Sequence, residues 1–209
     1  MSGLQIFGIL YLIIIVICFL EAYFYSELDP ESKKFLEERE KNNEKTEPFY
    51  NKFKNKSIVI SNCWKEFIDQ ELQSYFGFEA TIIPSSVWKE EKILRIVNDV
   101  FPMKNVGIIK LHPYYNYDWH IDTERGCGIN MLLQHEESHS LFRENEDGEN
   151  GFFTELKYEP NTFYAFNTQS LHCVYNFEEP RYLFTCEFEQ KKLSLTYEML
   201  CEWMKQNKL

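Results

Sequence analysis

No lysine or arginine precedes the longest apolar run of this chain, no two of its cysteines form a C-x-x-C pair, and its basic residues gather into no stripe. Each absence removes a class of protein. The cysteines, at positions 18, 63, 127, 173, 186 and 201, have neither zinc-ribbon spacing nor the pattern of a disulfide framework, and Cys127, Cys173 and Cys186 read as small buried hydrophobes. Asp and Glu number 33 against 22 Lys and Arg, for a net charge of −11 and a sequence pI near 5.0. Scattered positive charge gives no electrostatic grip on phosphates, so no nucleic-acid partner is expected, and protein or small-molecule substrates remain. The 209 residues leave space for one membrane or targeting segment and one domain of roughly 150 residues, with none for a second catalytic domain. Aromatic side chains make up 17% of the chain, as expected of two sheets that share a core of large rings.

What is present begins with residues 6–20, an uninterrupted apolar run that Leu4 and Ala22–Tyr25 extend around Glu21. It is long enough to cross a bilayer as a helix. Lacking a basic n-region and a small-residue cleavage site, residues 1–25 read as a retained single-pass anchor rather than a cleaved signal peptide. The side of the membrane stays open. Lys33, Lys34, Arg39, Lys41 and Lys45 favour the cytoplasm, whereas the Asn55-Lys56-Ser57 sequon favours the opposite face. Residues 26–56, highly charged and poor in aliphatics, read as an exposed helix or stalk, and residues 57–209 as the folded domain.

Within that domain, Ser57–Ile60 is expected as a strand, with Cys63–Tyr75 and Val87–Val97 as helices. The second helix has Ser85 and Ser86 as candidate caps and Glu90 and Glu91 near its positive end. From Val106 onward, short alternating runs separated by Pro, Gly and Asn predict eight strands: Val106–Leu111, Asp118–Asp122, Gly128–Gln134, Ser140–Arg143, Phe152–Tyr158, Thr162–Phe166, Leu171–Asn176 and Arg181–Glu189. On the last of these, Tyr182, Phe184, Cys186 and Phe188 form one apolar face for helices to cover, and Arg181, Leu183 and Thr185 face the other way, into a cavity. An amphipathic helix closes the chain over Ser194–Gln206.

The pattern that carries chemistry is His120-Ile121-Asp122, followed by His172 and Arg181. On a strand, residues 120 and 122 share a face, about 6–7 Å apart at the backbone. His172 completes a set of two histidines and one carboxylate, which suits non-haem iron(II) and leaves positions open for oxygen and a co-substrate. The turn Phe177–Pro180 predicts a hairpin between Leu171–Asn176 and Arg181–Glu189 that sets Arg181 opposite Asn176, on the iron side. A five-carbon diacid would then chelate iron at one end and meet the planar guanidinium at the other.

Three segments resemble the iron(II)/2-oxoglutarate-dependent dioxygenases, and in particular their prolyl-hydroxylase-like branch: residues 117–122 (YDWHID), residues 128–133 (GINMLL), and residues 171–176 (LHCVYN) leading to Arg181. The resemblance covers roughly residues 100–190. It implies a double-stranded β-helix, or jelly roll, mainly β with supporting helices. It further implies Fe(2+) ligated by His120, Asp122 and His172, and 2-oxoglutarate anchored by Arg181. Tyr117 and Asn130 are further candidates for the co-substrate pocket, and O2 is the second co-substrate. The implied activity is hydroxylation of a protein side chain or small molecule, coupled to conversion of 2-oxoglutarate to succinate and carbon dioxide. The family's additional tyrosine partner for the arginine has no match in this sequence, since Leu132 and Leu133 stand where it would be looked for.

Two other readings compete. His135-Glu136-Glu137-Ser138-His139 satisfies H-E-x-x-H, the zinc-hydrolase helix in which two histidines one turn apart hold zinc and the glutamate is general base. Its charged interior, and the polar, glycine-punctuated stretch at residues 143–151 with no third histidine, read instead as a strand end and solvated loop. A jelly roll can also serve as a non-catalytic binding module that retains core histidines.

Overall fold

The computed structural model describes residues 48–68, 72–75, 77–134, 137–143 and 153–209. The expected anchor at residues 1–25 and most of the charged stalk lie outside them, and no helix among the described residues is long and apolar enough to cross a membrane. Eleven strands and five short helices are described. In chain order they are β1 (Tyr50–Lys56), α1 (Ile60–Cys63), α2 (Lys65–Ile68), β2 (Gln73–Tyr75), β3 (Phe78–Ile82), α3 (Ser85–Trp88), α4 (Lys92–Asn98), β4 (Met103–Leu111), β5 (Tyr117–His120), β6 (Gly128–Gln134), β7 (His139–Arg143), β8 (Phe153–Leu156), β9 (Thr162–Phe166), β10 (His172–Tyr175), β11 (Arg181–Phe188) and α5 (Tyr197–Gln206).

Strands β4 to β11 form the jelly roll. A seven-stranded sheet runs β1-β9-β6-β11-β4-β3-β2, and a four-stranded sheet runs β5-β10-β7-β8. Every pairing is antiparallel. A period of two sorts the large sheet's side chains. Phe163 and Ala165 of β9, Ile129 and Met131 of β6, Phe184, Cys186 and Phe188 of β11, and Val106 and Ile108 of β4 pack with Leu94 and Val97 of α4 and with Leu200, Cys201 and Met204 of α5. The alternate residues Tyr164 and Phe166 join Phe142 and Leu156 of the small sheet in a second apolar cluster. Burying each large side chain contributes about 1.5–3 kcal/mol, so this double-sided pattern dictates which face each strand turns inward.

Close approach also shapes the large sheet. A Cβ at Gly107 would lie 2.2 Å from the Thr81 carbonyl oxygen of β3, so only glycine lets β3 pair there.

The N-terminal part of the domain departs from the sequence expectation. Residues 50–56, assigned by composition to the stalk, are an edge strand whose Phe53 is buried in the core while its lysines face solvent. Ser57–Ile60 is not a strand. The Glu91 carboxylate accepts hydrogen bonds from Ser57 Oγ at 2.9 Å and from the backbone N–H groups of Ile58 (3.0 Å), Val59 (2.9 Å) and Ile60 (3.4 Å), donors a strand would give to a neighbour. This negative charge sits at the positive end of α1 rather than at that of the helix beside it. Val87–Val97 is accordingly broken, with α3 ending at Trp88 and α4 starting after Glu91, and neither Ser85 nor Ser86 caps: Pro84 occupies the N-cap of α3. Cys63–Tyr75 is also not one helix. It closes with β2, which turns at Gly77 (φ +94°) to pair with β3.

The expected hairpin between β10 and β11 does not form either. β10 belongs to the small sheet and β11 to the large one. Asn176 ends β10 by donating from Nδ2 to the carbonyl oxygens of His112 (2.8 Å) and Glu179 (2.9 Å), and the chain crosses to the other sheet, where Arg181 pairs with Leu111.

Candidate metal centre and its cavity

A cavity between the sheets is lined by His120, Asp122 and His172, by Arg125, Tyr117, Asn130, Ser140, Tyr158 and Arg181, and by apolar side chains including Ile109, Leu111, Phe166 and Leu183. Both sheets contribute: β5, β7 and β10 of the small sheet and β4, β6, β9 and β11 of the large one each supply a lining residue. His120 pairs with His172 across β5 and β10, and a register shift then sets Val174 against Tyr117. Such a bulge re-aims side chains. The two imidazole centroids lie 4.2 Å apart. β5 ends at His120, two residues earlier than expected, yet Asp122 still turns into the cavity because its N–H is held by the Thr168 carbonyl at 2.9 Å.

One ligand atom from each of His120, Asp122 and His172 lies within 4.8 Å of the others. Hydrogen bonding decides which atoms these are. His120 Nδ1 lies 2.7 Å from the Asp118 carbonyl oxygen and His172 Nδ1 lies 2.8 Å from the Ser170 carbonyl oxygen. A carbonyl only accepts, so each Nδ1 carries the proton and each Nε2 lone pair is left for a cation. Burial pushes the His172 imidazole down to about 4, which keeps it neutral and able to donate that pair at neutral pH. Asp122 divides its oxygens. Oδ1 lies 3.7 Å from His120 Nε2, and Oδ2 accepts from Arg125 Nε at 2.6 Å. The donor set, two imidazoles on paired strands and one carboxylate just past the end of β5, fits iron(II).

Arg181 lies across the cavity and is 4% exposed. Its Nε donates to Ser138 Oγ at 3.0 Å and its Nη2 to Ser140 Oγ at 3.1 Å. No carboxylate among the described residues pairs with it. Burial lowers its pKa, opposed by the nearby Tyr158, but a guanidinium stays charged at neutral pH. Asn130, 8% exposed, accepts from Thr185 Oγ1 at 2.8 Å, and Tyr117 packs edge-on to His120 with ring centroids 4.4 Å apart.

All six candidate residues named from the sequence therefore line one cavity. Three others were missed. Arg125 was legible in principle, since it stands three residues after Asp122, while Ser140 and Tyr158 come from other strands and loops and carry no local signal. The H-E-x-x-H reading loses its helix: Glu137 lies in a turn, Ser138 is irregular, and His139 opens strand β7, where its ring pairs with Glu155. His135 and Glu136 lie outside the described residues.

No protein-family model matches the chain, and no curated protein matches it. Similarity appears at the level of solved structures. A prolyl-4-hydroxylase from Pseudomonas putida superposes with a TM-score of 0.50 at 12% identity, over 72% of this chain and 96% of that one. The viral collagen prolyl hydroxylase of Paramecium Bursaria Chlorella virus-1, solved as its 2OG complex, gives a TM-score of 0.49 at 15% identity, over 66% and 94%. The Pseudomonas enzyme, matched over nearly its whole length, carries the fold assignment: the described domain has the double-stranded β-helix fold of the prolyl-hydroxylase-like iron(II)/2-oxoglutarate oxygenases.

Proposed function

We propose that this chain is an iron(II)- and 2-oxoglutarate-dependent dioxygenase that hydroxylates a protein side chain or a small molecule, with His120, Asp122 and His172 as iron ligands and Arg181 as the anchor of the co-substrate's far carboxylate. The observation that carries the reading is the buried Arg181 guanidinium, without a carboxylate partner among the described residues, in the same cavity as a two-histidine, one-carboxylate cluster. A buried charge is costly until paired, and a diacid that reaches from the metal supplies the pair. When bound, iron(II) supplies the oxygen chemistry that couples conversion of 2-oxoglutarate to succinate and carbon dioxide with hydroxylation of the substrate. The chain's own contribution is positional. Carbonyl bonds from Asp118 and Ser170 hold the two Nε2 lone pairs toward the cavity, Arg125 occupies one oxygen of Asp122, and Ile109, Leu111, Phe166 and Leu183 keep bulk water from the reacting end.

Residues 1–25 belong to the proposal as a membrane anchor, supported by their apolar composition alone. Resistance to carbonate extraction tests the anchor, and recovery of the uncleaved chain in the soluble fraction without detergent sinks it. The decisive test of the activity is anaerobic titration of the iron-loaded protein with 2-oxoglutarate, followed by admission of oxygen and measurement of succinate. A metal-to-ligand charge-transfer band that saturates in wild type, and needs roughly a hundredfold more 2-oxoglutarate in Arg181→Ala, is the expected result. Lysine at 181 restores only part of the affinity, as a point charge without the planar fork.

A further inference from the structure

Asn55 belongs to the chain's one N-x-S/T sequence, Asn55-Lys56-Ser57, and lies on β1, the terminal strand of the large sheet. Strand alternation alone would turn it inward. Phe53, two residues earlier, is 1% exposed in the core, and a period of two puts residue 55 on that same face. The register breaks in between. Lys52 pairs with Tyr164 and Lys56 with Thr162, so Phe53, Lys54 and Asn55 stand opposite Phe163 alone. Extra residues on one strand of a pair bend it and re-aim its side chains. Asn55 is exposed as a result, and its side-chain amide forms no hydrogen bond within the described domain. Those of Asn98, Asn130, Asn167 and Asn176 are all bonded. No strand among the described residues pairs with the outer edge of β1, so a group attached at position 55 extends from an open edge.

Ser57 supplies the hydroxyl that such an acceptor sequence requires, but the folded domain engages it. Ser57 is 4% exposed, and its Oγ donates to the Glu91 carboxylate at 2.9 Å and accepts from the Ser61 N–H at 3.2 Å. The sequence is therefore readable only before residues 57–61 dock on Glu91, whereas the acceptor amide stays outside afterwards. We propose that Asn55 is an N-glycosylation site, modified while the chain is being translocated and before the domain folds, which sets the folded domain on the face of the membrane opposite the cytoplasm. In the transfer, the Asn55 amide nitrogen bonds to the anomeric carbon of an oligosaccharide carried on a polyprenyl diphosphate. The bond from that carbon to the diphosphate oxygen breaks, its electron pair leaves with the diphosphate, and the amide gives up one proton. A bulky, solubilising group on an open edge strand also blocks pairing with another chain. The inference rests on the anchor proposed for residues 1–25 and is independent of the iron and 2-oxoglutarate reading. The basic residues between positions 33 and 45 favour the cytoplasmic face instead, so the two signals make opposite predictions.

The test translates the full-length chain with sealed, glycosylation-competent microsomes. Wild type is expected to give a slower-migrating species, protected from added protease, that peptide N-glycosidase collapses to the unmodified size with aspartate at position 55 by mass spectrometry. Asn55→Gln should lose that species completely. Ser57→Thr should keep it, because threonine also completes the acceptor sequence. Unfolding of sugar-free protein made in bacteria separates modification from structure. Wild type and Asn55→Gln should share one thermal midpoint there, and a clear drop would make Asn55 a structural residue and overturn the proposal. A protected chain without sugar overturns the site, as does a slower species that persists in Asn55→Gln. An unmodified chain that resists carbonate extraction but is digested from outside puts the domain in the cytoplasm and overturns the proposal while the anchor stands. An unmodified chain released by carbonate removes the anchor and the proposal together, and leaves the iron and 2-oxoglutarate reading untouched.

Discussion

The two faces of the large sheet are built from the same strands and do opposite work. Along β11, Phe184, Cys186 and Phe188 enter a dry core under α4 and α5, while Arg181, Leu183 and Thr185 line the cavity. Along β6, Ile129 and Met131 face the helices and Asn130 faces the cavity. The outer face spends no polar group and stabilises the domain. The inner face holds a buried guanidinium that no carboxylate among the described residues pairs with, a charge that costs stability until a ligand arrives, and beside it a histidine that burial keeps neutral. Stability and binding are therefore separable residue by residue on a single strand, and substitutions on the two faces should have different consequences.

The largest contrast is expected at the candidate metal ligands. His172→Ala or Asp122→Ala should abolish iron binding and turnover while the fold persists, as read by metal content after desalting alongside circular dichroism. His139→Ala, outside the cluster, should leave metal content unchanged; loss of metal there and retention in His120→Ala would reinstate the zinc reading. Phe184→Ala is the converse substitution, fully buried on the helix side of the same strand as Arg181. It should destabilise the domain by about 3–5 kcal/mol in denaturant unfolding, yet the protein that remains folded should bind iron normally.

A smaller effect sharpens the boundary between the faces. Arg125→Gln frees the second oxygen of Asp122 from its 2.6 Å partner, and iron affinity should fall by about 10–100-fold, the usual range for a group that orients a metal ligand, with little change in unfolding midpoint. An unchanged iron affinity would make the Arg125 contact incidental. The smallest is Glu91→Gln, remote from the cavity. The amide oxygen still accepts, but the charge-assisted character of the bonds at the start of α1 is lost, so stability should fall by about 1 kcal/mol and 2-oxoglutarate affinity should not move.

The sequence was most legible where one face of a strand is buried against helices. All eight strands from β4 to β11 are expected from alternation, with Gly128–Gln134 and Thr162–Phe166 matching to the residue, because the period of two is enforced by burial on at least one side. It was least legible around Glu91. That residue's local context reads as an ordinary first-turn acid of one helix, and only the packing of Ser57–Ile60 against it shows that it serves another. The turn at Phe177–Pro180 misled for a similar reason. A four-residue turn between two strands is compatible with a hairpin or with a crossing between sheets, and the choice lies in Asn176, whose amide binds carbonyls at residues 112 and 179, the first of them 64 positions away.

By itself the sequence determined the things that short-range geometry dictates. Arg181 shares a face with Leu183 and Thr185 because a strand repeats every two residues, whereas Asp122, past the end of β5, is turned to the side of His120 by the Thr168 carbonyl. Which faces meet across the cavity was decided by the stacking of two sheets, a long-range event with no local signature. Arg181 is brought to the side of His120, Asp122 and His172 by facing sheets rather than by a hairpin, and Ser140 and Tyr158 join it from segments that nothing in the primary structure links to position 181. Burial of large rings on both faces of the large sheet drives that stacking, and the polar residues of the cavity come together because those rings do.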